Sequence, residues 1–293
     1  MRTMNLDDLA MFQAVIRQGG VTSAAKSLHR VQSSVTTRIR QLEESLGVAL
    51  FLREGRRLKL SPAGRVLEGY AARLLDLAAE ARNALTLGLP RGPLRLGSME
   101  STAATRLPPV LAAFHQRCHE VRLELHTGPT ARLVRLTREG ALDCALVAGP
   151  VLEPDLEAVP VFSEELVLVA SAGHPPIRRG ADLQTRTALV FEAGCSYRQR
   201  LEGWLASQGL VPERFVELAS YHAMLGCAAC GMGVALVPRS LVDRLPAGDS
   251  LSAHPLPHPF GRSETVLVRR RNVTAPAVDA LLALLLEPPA QGA

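Results

Sequence analysis

The stretch SAAKSLHRVQSSVTTRIRQLEESLG, residues Ser23 to Gly47, contains two helical segments with different surfaces. Before the break at His29, two adjacent alanines allow another helix to approach closely, as a helix-turn-helix pair requires. After the break, apolar residues recur at helical spacing until Gly47 ends the segment. They are Val31, Val35, Ile39, Leu42 and Leu46. The pattern predicts a helix that buries one apolar stripe and presents a polar stripe outward.

The polar stripe of this second helix carries side chains suited to the major groove of DNA. Its members are Gln32, Ser33, Thr36, Thr37 and Arg40. Glutamine can bond adenine through two hydrogen bonds, arginine can bond guanine, and threonine can contact base edges or the thymine methyl group. The alternative interpretation is an ordinary solvated helix face on which Ser33 or Ser34 acts as an N-cap.

The flanking segments favour the DNA-reading interpretation. Upstream, helical spacing of apolar residues ends at Gly19-Gly20, and Thr22 or Ser23 is expected to cap a short helix that runs to Leu28. Downstream, the sequence predicts a strand over 50–52, a basic turn over 53–57 and a return strand over 58–60. Together these elements predict a winged helix-turn-helix. Its basic side chains are expected to contact phosphates or a minor groove without reading sequence: Arg53, Arg56, Arg57 and Lys59.

A long helix is predicted to follow the wing. Ser61 is its expected N-cap and Pro62 its first residue, and the helical pattern continues to about Leu87. Apolar residues at alternating spacings of three and four form one seam, which a single chain would leave exposed. These residues are Leu67, Tyr70, Leu74, Leu77, Ala81 and Ala84. The seam predicts self-association, with packing against the chain's own domain as the alternative, and the stretch 88–93 is expected to be a hinge.

The order of residues in this region resembles the N-terminal signature of LysR-type transcriptional regulators. The resemblance covers residues 4–66 densely and rests on Ser23-Ala24-Ala25, Leu28, Gln32, Val35, Arg38-Ile39, Leu42-Glu43, Leu46-Gly47, Leu50-Phe51, Arg53, Leu60-Ser61 and Ala63-Gly64. The chain departs from relatives at Ser33-Ser34 and Thr36-Thr37, where proline, alanine or arginine is frequent. This departure leaves the operator sequence open. The resemblance implies a co-inducer-binding domain of two α/β lobes, built like a periplasmic binding protein.

The remaining residues support that architecture independently. Short apolar strands near residues 93–98, 121–128 and 142–149 alternate with helix-length segments, a pattern typical of a parallel sheet. Four similar segments between 166 and 238 predict a second lobe. The expected organisation is a DNA-binding domain over 1–60, a linker helix and hinge over 61–89, and an effector-binding domain over 90–293. Within the last, the first lobe takes about 90–163 and 266–293, and the second lobe about 164–265.

Polar clusters at predicted strand ends and helix starts are the candidate effector site, because free N–H groups and helix dipoles favour anions there. The predicted site residues are Ser98, Ser101, Thr102, Thr127, Thr130, Cys195, Ser196, Arg198, Ser220 and Tyr221. A small organic acid or amino acid is the expected effector, since aromatic residues that would stack on a sugar make up 4% of the chain. Glu100 would repel an anion, so an amine-bearing or neutral effector is the alternative.

The cysteines suggest a second hypothesis. Five cysteines, an odd number, are expected to be reduced thiols rather than a disulfide framework. Cys227 and Cys230 lie in an apolar helical stretch without a second pair, so core packing is favoured over a zinc site and no metal or cofactor is expected. Cys195 lies near a predicted helix start and Arg198, conditions that lower a thiol pKa. A redox-sensing regulator of the same fold is therefore the alternative function.

Composition restricts the remaining classes. Residues 1–88 hold 13 Lys and Arg against 8 Asp and Glu, whereas the rest holds 20 of each, so the excess positive charge lies where DNA is expected to bind. A solute-binding protein would lack residues 1–88, and a cysteine-dependent enzyme would need a histidine base that no motif identifies. No apolar run reaches the length of a membrane span, and a cytoplasmic location is expected. The expected partners are double-stranded DNA, a small effector, RNA polymerase, and further copies of the chain in a homodimer or homotetramer.

Overall fold

The computed structural model describes residues 4–54, 57–85, 90–244, 250–271 and 273–287. The chain folds as two compact units, Met1–Gly88 and Leu89–Ala293. Each unit has its own hydrophobic core.

The first unit contains three helices, a two-stranded wing and a long fourth helix. These are α1 (Leu6–Arg17), α2 (Val21–Ser27), α3 (Gln32–Leu46), β1 (Phe51–Glu54), β2 (Arg57–Leu60) and α4 (Pro62–Leu85). The strands β1 and β2 pair antiparallel, with Phe51 opposite Leu60. The Oγ atom of Ser61 accepts the N–H of Gly64 at 2.9 Å, so Ser61 caps α4 as expected.

The helices of the first unit pack around an apolar core, and an ion pair joins α1 to α3. The core includes Phe12, Ala24 and Val35, all fully buried. The Nη1 atom of Arg38 on α3 donates to the buried carboxylate of Asp8 on α1 at 2.9 Å. This contact joins α3 to α1.

The wing is joined to α3 and α4 by the backbone around Leu50. The Oε1 atom of Glu43 on α3 accepts the N–H groups of Leu50 and Phe51 at 2.7 and 3.1 Å. The α-carbon of Gly64 on α4 lies so close to the same segment that an added Cβ would be 2.2 Å from the carbonyl oxygen of Leu50. Glycine is therefore required at position 64.

Two details of the sequence interpretation are wrong. Helix α2 begins at Val21 with Gly20 as its N-cap, and not after a Thr22 or Ser23 cap; no side chain among the described residues caps this helix. Val31 and Leu46 do not belong to the buried stripe of α3, since they are 70% and 37% exposed. Val31 is the N-cap position of α3 and Leu46 is its last residue, so both side chains lie beyond the part of the helix that packs on the core.

The second unit alternates strands and helices. Its elements are β3 (Gly92–Ser98), α5 (Glu100–Thr105), α6 (Leu107–Arg117), β4 (Val121–Thr127), α7 (Thr130–Glu139), β5 (Cys144–Ala148), β6 (Leu156–Ser171), β7 (Thr187–Val190), α8 (Ser196–Ser207), β8 (Arg214–Glu217), α9 (Tyr221–Ala229), β9 (Ala235–Pro238), α10 (Arg239–Val242), β10 (Leu251–Pro255), β11 (Arg262–Arg270) and α11 (Pro276–Leu286).

Two lobes share the long strand β6. The strand order β10-β6-β11-β5-β3-β4 runs through both, and β9 also pairs with β6. The first part of β6 pairs with β11 as far as Glu165, and the part from Leu166 onward pairs with β9 and β10. The parallel pair β7-β8 joins β9 through a bridge between Ala188 and Val234. The two-lobed α/β fold predicted from the sequence is confirmed, with β6 and β11 as its crossovers.

Candidate functional site

Helix α3 presents the predicted polar stripe to solvent. Gln32, Ser33, Thr37 and Arg40 are exposed, and Thr36 is half-buried. The hydroxyl of Thr36 donates to the carbonyl oxygen of Gln32 at 2.9 Å, so this side chain is held along the helix with its methyl group oriented by that bond. The stripe can therefore place amide, hydroxyl and guanidinium groups against base edges.

The wing contributes its backbone to the described structure but few side chains. Arg56 lies outside the described residues, and the side chains of Arg53 and Arg57 also lie outside what is described. Lys59 on β2 is exposed. Phosphate contact by the wing arginines stays a prediction.

The residues of the predicted seam on α4 are partly buried in the first unit and partly exposed. Leu67 packs against the core of its own unit, together with Ala71 and Leu75 on the same side of the helix. The exposed apolar stripe consists of Val66, Tyr70, Leu74, Leu77 and Ala81. The side chain of Ala84 lies outside what is described. The exposed stripe therefore begins at Val66, whereas Leu67, the first residue of the predicted seam, packs against the core.

A cleft of about 410 Å³ lies between the two lobes of the second unit. The first lobe lines it with Met99 and Glu100 at the start of α5, and with residues 127–130 between β4 and α7. The second lobe lines it with residues 191, 192 and 195–197 around the start of α8, and with residues 217–219 and 221 around the start of α9. Four helix starts therefore meet at one cleft, as ligand sites in open α/β sheets commonly require.

The structure brings half of the predicted effector residues to this cleft. Thr127, Thr130, Cys195, Ser196 and Tyr221 line it. The others are not among the described residues that line it. Ser98 and Thr102 are buried, and the hydroxyl of Ser98 donates to the carbonyl oxygen of Met99 at 2.9 Å. Ser220 is the N-cap position of α9.

Three hydroxyl groups lie close together beneath the cleft. Ser101, Tyr197 and Tyr221 are each at most 4% exposed, and Ser101 lies beside both tyrosines. The hydroxyl of Ser101 is the hydrogen-bonding neighbour of the Tyr197 and Tyr221 hydroxyls. Burial raises the pKa of both tyrosines, so they are neutral donors and acceptors at pH 7. Tyr197 lies between Ser196 and Arg198 in the polar cluster predicted from the sequence, and it lines the cleft.

Glu100 is the most unusual polar group in the cleft. Its Oε2 atom is buried and has no hydrogen-bond partner among the described residues. Burial raises the pKa of the carboxyl, opposed by the backbone N–H of Tyr221 and by the charge of His222. The carboxylate of the first lobe therefore faces the start of α9 in the second lobe.

Arg198 serves the second lobe rather than the cleft. Its guanidinium donates to Glu217 at 2.6 Å, to Glu202 at 2.9 Å and to the carbonyl oxygen of Phe191 at 3.2 Å. It also lies 4.9 Å from the ring centroid of Phe215. Arg198 neutralises Glu217 at the edge of the cleft. Its charge is paired within the second lobe rather than directed at a ligand.

The expectation that the surroundings of Cys195 lower its thiol pKa is wrong. Burial raises the pKa of Cys195 and outweighs the lowering by the N–H groups of Arg198 and Tyr197 and by the guanidinium charge. Cys195 is the N-cap residue of α8 and lines the cleft as a neutral thiol.

A buried ion pair connects the lobes behind the cleft. Glu164 on β6 is 3% exposed and accepts bonds from Arg106, between α5 and α6, at 2.7 and 3.2 Å. The hydroxyl of Ser240 on α10 donates to the same carboxylate at 3.2 Å. Sequence patterns do not reveal this contact, because its members are separated by 58 and 76 residues.

Comparison with known proteins identifies both units. Residues 6–65 match the family described as "Bacterial regulatory helix-turn-helix protein, lysR family", and residues 87–288 match "LysR substrate binding domain". The chain belongs to the LysR family of transcriptional regulators. It is accordingly a DNA-binding regulator with an effector-binding domain, and not an enzyme. The resemblance deduced from residues 4–66 is confirmed.

Individual LysR relatives are similar along almost the whole chain. The transcriptional regulator GltR of Bacillus subtilis is 38% identical over 281 residues, covering 95% of each chain. YofA of Bacillus velezensis is 41% identical over 258 residues, covering 88% of each. These identities show the family but do not fix a particular member.

Solved LysR-family structures share the fold at low identity. A full-length OxyR variant from Pseudomonas aeruginosa matches with a TM-score of 0.76 and 23% identity, covering 97% of this chain and 95% of that one. CbnR in complex with its target DNA matches with a TM-score of 0.68 and 23% identity, covering 96% and 99%. Among the described residues, no helix has the length and apolar character needed to cross a membrane.

Proposed function

We propose that this LysR-family regulator reads its operator with the exposed stripe of α3 and responds to a small molecule bound between the two lobes. The observation that carries the proposal is the cleft of about 410 Å³, whose walls come from both lobes and four helix starts. A ligand that contacts both walls binds one lobe arrangement better than another, and that difference in affinity can shift the regulator between states.

The effector class follows from the cleft's charges. An organic acid or an amino acid is expected from the sequence, and the acidic lining supports the second of these. Glu100, Glu192 and Glu217 line the cleft, Glu217 with its charge neutralised by Arg198, and no Lys, Arg or His is among the described residues that line it. A simple carboxylate would meet this negative field without a cationic partner.

The active form is proposed to be a homo-oligomer acting on DNA in the cytoplasm. The exposed stripe on α4 supports self-association, because apolar side chains at positions 66, 70, 74 and 77 form one continuous surface. Paired reading helices would then contact two half-sites about one helical turn apart. RNA polymerase is the further partner proposed for such a regulator.

Selection of genomic fragments by the purified full-length protein tests this function. Fragments are sequenced after selection with and without a set of amino acids, amines and organic acids. The expected result is one recurring operator with two half-sites, whose recovery changes with at least one compound. Recovery of random fragments, or of the same fragments to the same extent with every compound, would contradict the proposal.

A further inference from the structure

We propose that the cleft selects an effector carrying a protonated amine, with Glu100 as the carboxylate that binds the ammonium group. The inference rests on the proposed function, because it names the ligand class of the same cleft. It is drawn from a carboxylate with one buried and unbonded oxygen, from two buried hydroxyls, and from an aromatic wall.

One oxygen of the half-buried Glu100 carboxylate lacks a partner that an ammonium group would supply. Its buried Oε2 atom makes no hydrogen bond among the described residues, although the carboxyl also accepts the N–H of Tyr221. A buried oxygen without a hydrogen bond is costly, and a bound ammonium group would remove that cost. An ammonium group has three N–H donors and no acceptor, so it requires an acceptor-rich site.

The second acceptor is the hydroxyl of Tyr197. Tyr197 lines the cleft and is 4% exposed. Ser101, 2% exposed, is its hydrogen-bonding neighbour, and a bond between two hydroxyls leaves oxygen lone pairs available to accept. Hydroxyl oxygens can accept from the ammonium donors that Glu100 does not use. These buried groups are already in place before a ligand binds.

A carboxylate of the protein, that of Glu100, already lies where the cleft best stabilises negative charge. Glu100 faces the start of α9, where the N–H of Tyr221 and the helix dipole favour negative charge. A carboxylate effector would compete there with Glu100, whereas an ammonium group would add to it. His222, whose charge acts on Glu100, is exposed and is not among the described residues that line the cleft.

The aromatic wall fits a cation that carries an apolar body. The rings of Phe191 and Tyr221 both line the cleft, with centroids 4.6 Å apart and planes at 64°. Ring faces attract cations and also bury apolar groups. Met99 adds a further apolar side chain at the base of α5.

The test uses two sets of three compounds. Within each set the hydrocarbon group is shared, and the charged groups are those of an amine, an amino acid or an acid. The first is phenethylamine, phenylalanine and 3-phenylpropionate; the second is isoamylamine, leucine and 4-methylpentanoate. Isothermal titration of the full-length protein measures each affinity. We expect at least one amine-bearing compound to bind and the matching acid to bind at least tenfold more weakly. An amino acid that binds more tightly than its amine, or equally, supports the proposal in either case.

Variants then assign the contact to Glu100. Glu100→Gln is expected to weaken binding of the amine about 10- to 100-fold, the loss typical of a hydrogen bond to a charged group. Glu139→Gln, at an exposed carboxylate of the first lobe that is not among the described residues lining the cleft, is the matched control and should change affinity less than about threefold. If Glu100→Gln does not fold, Glu100→Ala is measured against the same expectation.

Three results would overturn the inference: an acid that binds as tightly as its amine, undiminished amine binding by Glu100→Gln, or no binding by any of the four amine-bearing compounds at millimolar concentration. Fluorescence anisotropy with operator DNA separates this failure from failure of the proposed function. If an acid alone changes DNA affinity, the regulator still responds to an effector and only the ammonium assignment falls.

Discussion

Gly64 shows how one residue fixes the junction between the wing and α4. Because a Cβ at this position would lie 2.2 Å from the carbonyl oxygen of Leu50 and 2.8 Å from a methyl group of Leu60, Gly64→Ala must displace backbone. We expect a loss of about 1–3 kcal/mol in the free energy of unfolding of the first unit, measured by calorimetry. Gly69→Ala on the same helix meets nothing within 4 Å and should stabilise it by about 0.5–1 kcal/mol. Equal effects of the two substitutions would contradict this.

His254 makes the second unit sensitive to acid. Its Nδ1 atom accepts the N–H of Ile177 at 3.2 Å, and its Nε2 atom lies 2.9 Å from the hydroxyl of Ser252, an arrangement that requires a neutral ring. Burial and the neighbouring His174 lower the pKa of His254 below its usual value near 6.5. Above about pH 6.5 the folded and unfolded states bind the same number of protons at this ring, and its effect is absent.

As pH falls below about 6.5, the unfolded state binds a proton that the folded state does not, so stability is lost. The slope from this ring cannot exceed about 1.4 kcal/mol per pH unit. Thermal unfolding between pH 7 and pH 5 should show a smaller decrease in His254→Asn than in the unmodified chain. An identical decrease in both proteins would exclude this ring as the cause.

At the scale of elements, variants in α3 and in the wing test the proposal that α3 reads the operator sequence while the wing attracts any DNA. Gln32→Ala removes a side chain that can bond a base edge and should cost about 1–3 kcal/mol on the preferred operator, with no change on random DNA. Arg56→Ala removes one positive charge from the predicted wing and should weaken binding to both, with a shallower salt dependence. Anisotropy titrations on operator and random DNA distinguish the two. Equal losses on both DNAs for Gln32→Ala would show that α3 does not read bases there.

The exposed stripe of α4 gives a second prediction at this scale. Leu74→Asp places a charge in the proposed interface and should weaken self-association by about 2 kcal/mol or more, since an apolar contact is replaced by a desolvated carboxylate. Sedimentation or light scattering measures the change. Arg65→Ala is the matched control, because nine residues separate positions 65 and 74 and place them on opposite sides of the helix. Unchanged association of Leu74→Asp would exclude this stripe as the interface.

Elements with strong periodicity were predictable from the sequence, and contacts between distant residues were not. The bounds of α3 and the cap of α4 at Ser61 follow from local chemistry. The Asp8–Arg38 contact joins residues 30 apart, and Glu43 binds backbone N–H groups of the wing. In the cleft, Ser98 and Arg198 were expected to face a ligand, but they bond within their own lobes. Local sequence places a side chain near a strand end without showing which neighbour will take its hydrogen bonds.

At the scale of the whole molecule, the Arg106–Glu164 pair couples the lobes. Arg106→Ala leaves the buried carboxylate of Glu164 with Ser240 as its remaining described partner, so about 3 kcal/mol of stability should be lost. Arg117→Ala is the control: the Arg117–Glu287 pair is exposed on both sides and should contribute less than about 1 kcal/mol. Calorimetry of the full chain measures both. If Arg106→Ala also abolishes the effect of effector on DNA binding, the pair transmits lobe movement as well as stabilising it.

The path of the chain through β6 and β11 has a consequence for how the protein is made on the ribosome. The second lobe is formed by one uninterrupted stretch between these crossovers, whereas the first lobe needs β11, which lies between β5 and β6 in its sheet. Translation therefore delivers every segment of the second lobe before the middle strand of the first has emerged. Until β11 has been synthesised, no strand lies between β5 and the first part of β6. The nascent first lobe therefore cannot complete its sheet before β11 emerges.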